Sequence, residues 1–242
     1  MFLQNLTPQK GVFFNAKNMK IKHDIIIFDV DSTLVTIEGL DWLAGNLGVE
    51  NKIKGITQEA MNGNLSMEKA MKIKMEILKP NHADMVKLGK KYIKSLVPNV
   101  PKVIKFLQNL GKELWVISGN FSPAVNILGE KLKIPDDHII CNKIFFDKKG
   151  NYLNFDLDNP LGKNGGKKVV IQKLFDKNSK NIAFIGDGYT DFEAAEAIET
   201  FVGFGGVVTR EKVMRACKNY VRTNDMQAIL PFILTKEEIV LP

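Results

Sequence analysis

The pattern of hydrophobic and polar positions divides the chain into two kinds of segment. Between residues 38 and 96 the apolar positions recur at helical spacing, and no run there has the character of a strand. Outside this segment, short apolar runs alternate with helical patterns, which is typical of alternating strands and helices. In the helical segment, helices are predicted at about 40–47, 50–62, 66–78 and 82–96.

The alternating segment predicts a mostly parallel sheet. Units of strand, helix and strand place their strands in parallel, with helices covering both faces. We therefore expect an α/β core that carries a helical insert. Strands are predicted at 25–28, 114–117, 182–185 and 200–204, with a hairpin made by 139–146 and 152–155. Helices are predicted at 100–110, 122–132, 166–176, 190–198, 209–217 and 225–233.

The same pattern predicts how the chain is divided. The core comprises residues 24–37 and 98–242, and the helical insert comprises 38–97. Residues 1–23 have four lysines and no acidic residue, so we expect a short surface extension or an early start codon there. The alternative for this segment is an organellar targeting sequence.

Composition excludes several classes of protein. The 242 residues carry a net charge of +7, but the excess is mainly lysine spread along the chain and no nucleic-acid motif is present. We therefore expect no nucleic-acid partner, although a positive field would attract a small phosphorylated substrate. No apolar run approaches the roughly 18 residues of a membrane span. Two cysteines cannot form a disulfide framework, so a cytoplasmic location is expected. We also expect no membrane partner, and either a monomer or a homodimer.

Two aspartates at the end of the first predicted strand are the first candidate for chemistry. Asp29 and Asp31 follow the run Ile25–Phe28, and side chains two residues apart on a strand point to the same face. Carboxylates so close repel each other unless a cation lies between them. Mg²⁺ prefers such oxygen ligands. The pair therefore indicates metal-assisted chemistry on an anionic substrate.

Three further motifs fall where the predicted sheet would bind a ligand. Ser118-Gly119-Asn120 follows the strand 114–117, and Asp187 and Asp191 follow the strand 182–185. Lys167 stands at the start of a predicted helix. Each motif alone is common in turns or on surfaces. Ligands bind at the carboxyl ends of strands in open α/β sheets, so the combination of acid, hydroxyl and base there indicates one site.

These motifs resemble those of the haloacid dehalogenase-like hydrolase superfamily and, within it, of the phosphoserine phosphatases. The similarity covers roughly residues 24–234 and implies a Rossmann-like core in which the helical insert is a small cap domain. It rests on F-D-V-D-S-T-L at 28–34, Glu38-Gly39-Leu40-Asp41, Ala60-Met61, V-I-S-G-N-F at 116–121, Gly165-Gly166-Lys167, I-G-D-G-Y-T-D at 185–191, and V-G-F-G-G at 202–206.

The resemblance implies roles for the core residues. Asp29 would be the nucleophile that forms an aspartyl-phosphate, and Asp31 the general acid and base. Mg²⁺ would be held by the Asp29 side chain, the Asp31 backbone carbonyl and Asp187, with support from Asp191. Positioned donors on the phosphoryl oxygens would stabilise the transition state. The residues implied in phosphate binding are Ser118, Gly119, Asn120 and Lys167.

The resemblance also implies how the substrate is chosen. Glu38 would bind the substrate ammonium group, and Lys74 stands where the family places an arginine for the substrate carboxylate. Lysine keeps the charge but lacks the bidentate fork of arginine. The family usually has Gly-Gly at two places where this chain has Gly119-Asn120 and Asn62-Gly63. Further residues implied at the substrate are Met61, Asn62, Met67, Thr190 and Arg210.

The function implied is Mg²⁺-dependent hydrolysis of O-phosphoserine to serine and phosphate, the last step of serine biosynthesis. One alternative is a phosphatase for another small phosphomonoester, such as phosphothreonine. Another is a phosphoryl transferase that uses the same intermediate, and the third is a non-catalytic module that binds a phosphorylated ligand.

Overall fold

A six-stranded parallel sheet lies at the centre of the protein, in a computed structural model that describes residues 22–61, 64–175 and 181–240. If only the six strands of this sheet are counted along the chain, their order across the sheet is 3-2-1-4-5-6, which is the arrangement of a doubly wound α/β fold. The labels below also count the two hairpin strands, so the same order reads β3-β2-β1-β6-β7-β8. This confirms the expected fold class. The strands of this sheet are β1 (Ile25–Phe28), β2 (Glu113–Phe121), β3 (Ile139–Asn142), β6 (Ile182–Gly186), β7 (Thr200–Phe204) and β8 (Asn219–Val221), and a separate hairpin is formed by β4 (Ile144–Phe146) and β5 (Tyr152–Phe155).

Strand β1 is at the centre of the sheet, and its sequence explains why. Ile26 and Phe28 point into one hydrophobic cluster and Ile27 points into another, because successive side chains of a strand face opposite ways. All three side chains are buried. A run without polar residues is what a strand covered on both faces requires.

Helices cover both faces of the sheet, and four of them form the insert between β1 and β2. The four helices of the insert are α1 (Gly39–Asn46), α2 (Glu50–Met61), α3 (Met67–Leu78) and α4 (His82–Lys94). The remaining helices are α5 (Val100–Asn109), α6 (Ala124–Leu132), α7 (Gly166–Leu174), α8 (Tyr189–Phe192), α9 (Glu211–Ala216), α10 (Leu230–Ile233) and α11 (Lys236–Val240). None of the helices described is long and apolar enough to cross a membrane.

The insert is tied to the core at its two ends. The segments that enter and leave it form an antiparallel bridge between Val35 and Leu96, and the amide of Thr36 donates to the Ser95 carbonyl over 2.7 Å. Helix α4 also packs closely on core helix α6. A Cβ atom at Gly89 of α4 would lie 2.8 Å from the Cβ of Ile127, so the two helices approach as only glycine allows.

Three sequence-based expectations about elements need correction. The predicted strand 139–146 is broken at Lys143, where β3 leaves the main sheet and β4 begins the hairpin. Strand β8 is missing from the prediction, because three residues are too few to show a period. The predicted helix 190–198 is a short α-helix that continues as a tighter 3₁₀ segment over Glu193–Ala197.

Buried polar contacts close the sheet at the amino ends of strands β1 and β2. The ammonium group of Lys112 donates to the His23 carbonyl over 2.6 Å and to Glu238 over 2.5 Å. His23 itself is buried and lies 2.8 Å from the Thr200 hydroxyl. Lys112 thus joins the entry to β1, the entry to β2 and the C-terminal helix.

We predict that Lys112→Met lowers the free energy of unfolding by about 2 kcal/mol, because it leaves a poorly hydrated carboxylate and a carbonyl without their donor. Urea unfolding measures the change. The matched control is Lys54→Met, which removes an exposed lysine paired with Glu50 and should leave the midpoint unchanged. Equal shifts for the two variants would contradict the role given to Lys112.

Candidate active site

The candidate site lies where the strand order of the sheet reverses. Strand β1 pairs with β2 on one side and with β6 on the other, and Phe28 is opposite both Val116 and Ile185. Asp29 follows Phe28, whereas Ser118 and Asp187 each come two residues after those partners. The register therefore places all three at one end of the sheet, as the sequence motifs predict.

The backbone after Asp29 gives the two aspartates different partners. Val30–Leu34 form one wide turn, closed by the Val35 amide donating to the Val30 carbonyl over 3.1 Å. Ser32 in this turn has a φ of 53°, a left-handed conformation that is uncommon outside glycine. Asp31 therefore belongs to a turn and not to the strand. The expectation that the pair shares a strand face is wrong, because the chain leaves the sheet at Asp29.

Asp29 is held in a buried cluster with Lys167 and Asp191. The Lys167 ammonium group donates to the Asp29 carboxylate over 2.6 Å and also to the carboxylate of Asp191. The second oxygen of Asp191 accepts the Gly188 amide over 2.9 Å. All three charged side chains of this cluster are at least nine-tenths buried. Lys167 lies in the first turn of α7, and this helix begins beside Asp29 after Gly165, which has a left-handed conformation.

Asp187 is joined to Glu38 through Arg210. The guanidinium group donates to Asp187 over 2.6 Å and to Glu38 over 3.0 Å. The Ser32 hydroxyl donates to the same oxygen of Glu38 over 2.8 Å. Arg210 precedes α9, so it connects the far side of the sheet with the start of the insert. Arg210 and Glu38 were both candidate residues from the sequence, but the contact between them was not predicted.

The loop expected to bind phosphate lies within the end of strand β2. The Ser118 hydroxyl oxygen accepts the Asn120 amide over 3.1 Å. The Gly119 carbonyl accepts the side-chain amide of buried Asn142 over 2.8 Å, which fixes the peptide orientation there. A Cβ atom at Gly119 would lie 3.9 Å from the thioether methyl of Met67, so helix α3 of the insert reaches over this loop.

Asp31 is surrounded by donors, and one of them was missed in the sequence. The Tyr92 hydroxyl donates to one carboxylate oxygen over 2.8 Å. The other oxygen accepts the Gly39 amide over 2.8 Å and the Asn120 side-chain amide over 2.9 Å. Tyr92 comes 61 residues after Asp31 and sits in an ordinary amphipathic pattern of α4. The sequence carried no signal that would have found it.

Burial and charge crowding explain the electrostatics of the site. Burial raises the pKa of Asp29 to about 7, although the Lys167 ammonium group opposes the shift. Burial and then the negative charge of Glu38 raise the pKa of Asp31 to about 8. Burial and then the charge of Asp191 raise the pKa of Asp187 to about 8. The carboxylates thus carry more negative charge than their protein partners neutralise.

Lys167 remains a charged partner in this cluster. Burial alone would lower the pKa of its ammonium group, but the carboxylates of Asp191 and Asp29 outweigh burial and raise the pKa above the ordinary value. A permanently charged donor beside Asp29 is suited to bind an anionic oxygen.

The carboxylates also fit a metal ion. One oxygen from each of Asp29, Asp187 and Asp191 lies within 4.8 Å of the others, and all three residues are buried. Hard divalent cations take oxygen ligands of this kind, and their charge would favour the ionised carboxylates, opposing the burial and repulsion that raise the pKa values. The site thus has the donor set of a cation site.

The structure describes some of the residues implied at the substrate but not others. Lys74 is partly buried on α3, and burial lowers the pKa of its ammonium group although the charges of Asp41, Glu38 and Asp31 act in the opposite direction. These charges place Lys74 near the site. Thr190 is on α8, directly after the Asp187 loop. The Met61 side chain and Asn62 lie outside the described residues, so their predicted roles stay predictions.

Comparison with known proteins gives the family. A sequence model of the haloacid dehalogenase-like hydrolase family matches residues 23–199. Phosphoserine phosphatase of Drosophila melanogaster is 35% identical over 218 residues, which cover 89% of this chain and 80% of that protein. Phosphoserine phosphatase of Homo sapiens is 35% identical over 199 residues, with 82% of this chain and 88% of that protein covered.

A solved structure agrees with these relatives. It is described as a phospho-aspartyl intermediate analogue of phosphoserine phosphatase, and it superposes with a TM-score of 0.71 at 28% identity. The superposition covers 88% of this chain and 99% of that one. The resemblance inferred from the motifs is therefore confirmed over most of the chain. This chain belongs to the haloacid dehalogenase-like hydrolase superfamily and, within it, to the phosphoserine phosphatase family.

Proposed function

We propose that this phosphatase hydrolyses O-phosphoserine to serine and phosphate through an aspartyl-phosphate formed on Asp29, with Mg²⁺ as its cofactor. The observation that supports this most directly is the separation of the two aspartates. Asp29 lies among Lys167, Asp187 and Asp191, whereas Asp31 turns towards the insert. A nucleophile and an acid/base group need different surroundings of this kind.

In the first step the Asp29 carboxylate attacks phosphorus, and the bond from phosphorus to the serine oxygen breaks. Asp31, protonated at the outset, gives its proton to the departing alkoxide. Lys167, the Ser118 hydroxyl and the amides of the loop at Gly119 stabilise the charge on the phosphoryl oxygens. The products of this step are serine and phosphorylated Asp29.

In the second step water attacks the phosphorus of the aspartyl-phosphate. Asp31 is now a carboxylate and takes the proton from this water, which restores both aspartates and releases phosphate. The raised pKa of Asp31 suits a group that must carry the proton in one step and accept it in the next.

Magnesium would be held by the side chains of Asp29 and Asp187 and the backbone carbonyl of Asp31, with Asp191 in support. Bound there, Mg²⁺ would supply positive charge that neutralises the phosphoryl oxygens and their repulsion with the nucleophile. The clustered buried carboxylates with raised pKa values support this assignment.

Substrate choice would depend on Glu38 and Lys74. Glu38 is partly exposed and would exchange its contacts with Ser32 and Arg210 for the substrate ammonium group. Lys74 would bind the substrate carboxylate as a point charge. Arg210 and Thr190 would border the same space. A point charge selects geometry less strictly than a guanidinium fork, so phosphothreonine or another small phosphomonoester is the second candidate substrate.

The environment of the protein is also a proposal. Cys141 and Cys217 are both free thiols, which suits a reducing, cytoplasmic location. We propose neither nucleic acid nor membrane as a partner, and the choice between monomer and homodimer stays a prediction.

The substrate assignment is tested by measuring phosphate release with Mg²⁺ across phosphoserine, phosphothreonine, phosphoethanolamine and sugar phosphates. We expect the largest kcat/KM for phosphoserine and loss of activity on chelation, with recovery when Mg²⁺ is added back. Phosphoethanolamine lacks the carboxylate and tests Lys74 from the substrate side. A higher kcat/KM for a sugar phosphate would reject the amino-acid assignment. Transfer of the phosphoryl group to an added alcohol, which forms a new phosphate ester in place of inorganic phosphate, would indicate a transferase.

We predict that Asp29→Asn reduces kcat to below about 1% of wild type with Mg²⁺ present, because loss of a nucleophile costs several powers of ten. Acid quenching and mass spectrometry should find one added phosphoryl group on Asp29 in the wild type. Asp24→Asn is the matched control, since Asp24 is exposed at the opposite end of β1. Its activity should equal wild type. Residual turnover of the Asp29 variant above about 1% of wild type would contradict a nucleophilic role.

We predict that Lys74→Ala raises KM for phosphoserine by roughly ten-fold or more, since a charge-assisted contact with the substrate is lost. KM for p-nitrophenyl phosphate, which has no carboxylate, should barely change. Lys72→Ala, on the exposed side of the same helix, serves as the control. Lys74→Arg should keep or improve phosphoserine binding. Equal losses on both substrates would remove Lys74 from the substrate contacts.

A further inference from the structure

The carboxyl group of Asp31 is clamped by three separate elements. Tyr92 reaches it from α4 of the insert over 2.8 Å, and Asn120 reaches it from β2 of the core over 2.9 Å. The Gly39 amide at the start of α1 supplies the third contact over 2.8 Å. Tyr92 is fully buried and Asn120 is 6% exposed, so water does not readily replace either donor.

The orientation of the Asn120 side chain is fixed. Its carbonyl oxygen accepts the amide of Phe121 over 3.0 Å, which leaves the amide nitrogen to face Asp31. A side-chain carbonyl in that position would instead repel the carboxylate. The backbone amide of Asn120 was expected at the phosphate, so the contact from its side chain is a separate feature of this residue.

Both side-chain donors lie close against Gly39. A Cβ atom at Gly39 would lie 2.0 Å from the Tyr92 hydroxyl oxygen and 2.5 Å from the Asn120 amide nitrogen. Tyr92 is in turn fixed by its helix, because α4 lies directly on α6 at Gly89. Tyr92 donates to one oxygen of the Asp31 carboxyl group and Asn120 to the other, so together they set its plane, while the turn that carries Asp31 sets only its backbone.

We propose that Tyr92 and Asn120 are positioning residues that hold the carboxyl group of Asp31 in the orientation for its two proton transfers. The inference rests on the proposed function, in which Asp31 is the acid and base. Neither residue touches the substrate phosphorus in this role. The competing explanation is that the two contacts only fasten the insert to the core.

Leaving groups of different basicity separate these explanations. An alkoxide such as that of serine needs a proton from Asp31 to depart, whereas p-nitrophenolate departs without one. Tyr92→Phe and Asn120→Ala should each lower kcat for phosphoserine by about ten-fold, part of the 10²–10⁴-fold that acid–base catalysis typically contributes. The first turnover of p-nitrophenyl phosphate should change by less than about two-fold, because that step needs no acid.

The second step depends on Asp31 for both substrates, so a burst is expected. The variants should release about one equivalent of p-nitrophenol quickly and then turn over slowly, because phosphorylated Asp29 accumulates. Stopped-flow absorbance measures both phases. Tyr152→Phe is the matched control, since it removes a tyrosine hydroxyl from the hairpin and should show wild-type kinetics. Asn120→Ala provides an independent test should Tyr92→Phe destabilise the fold.

The deciding measurement uses Asp31→Asn as a background. A residue that acts through Asp31 has no further effect once Asp31 is replaced, so Tyr92→Phe should leave the residual rate of Asp31→Asn unchanged within about two-fold. The same loss in both backgrounds, no loss in wild type, or a slowed first turnover of p-nitrophenyl phosphate would overturn the inference. If Asp31→Asn itself retained full phosphoserine turnover, the proposed function would fail instead.

Discussion

Crowding of buried carboxylates at the reversal point of the sheet is the constraint on which the rest of the site depends. Asp29, Asp187 and Asp191 converge there, and Lys167 and Arg210 neutralise only part of their charge. Burial raises the pKa values of Asp29 and Asp187 although each carboxylate has a cationic partner. The fold holds this cluster together because the strands that carry it are buried on both faces and cannot move apart. A site under such repulsion is arranged to gain a cation and a substrate whose charges complement each other.

The turn after β1 gives the two aspartates different partners. The charges of Glu38 and Asp29 still act on Asp31, but its hydrogen-bond partners are neutral donors. The wide turn with Ser32 in a left-handed conformation removes Asp31 from the sheet and presents it to neutral donors. Backbone strain at one residue therefore gives the two carboxylates different environments, as the two proposed roles require.

The sequence predicted the parts of this arrangement that depend on local signals. The uninterrupted apolar run Ile25–Phe28 predicted a strand, and the motifs at Ser118, Lys167 and Asp187 predicted the end of the sheet at which a ligand is expected. Contacts between distant segments left no such signal. Tyr92 lies in a regular helix pattern, and its contact with Asp31 depends on the packing of α4 against α6. Strand β8 was missed for a similar reason, since three residues become a strand only through pairing with β7.

These contacts between distant segments show that the insert contributes more to the site than a cover. A cap that only covered the site would influence substrate choice and exclusion of water. Here the insert also supplies two of the three donors to Asp31, Tyr92 and the Gly39 amide, and it carries Glu38. In the proposed mechanism, proton transfer and substrate recognition would therefore depend on the same element. In that mechanism, a shift of α4 relative to α6 would displace the Tyr92 donor from Asp31, so both proposed tasks would require the insert to be seated on the core.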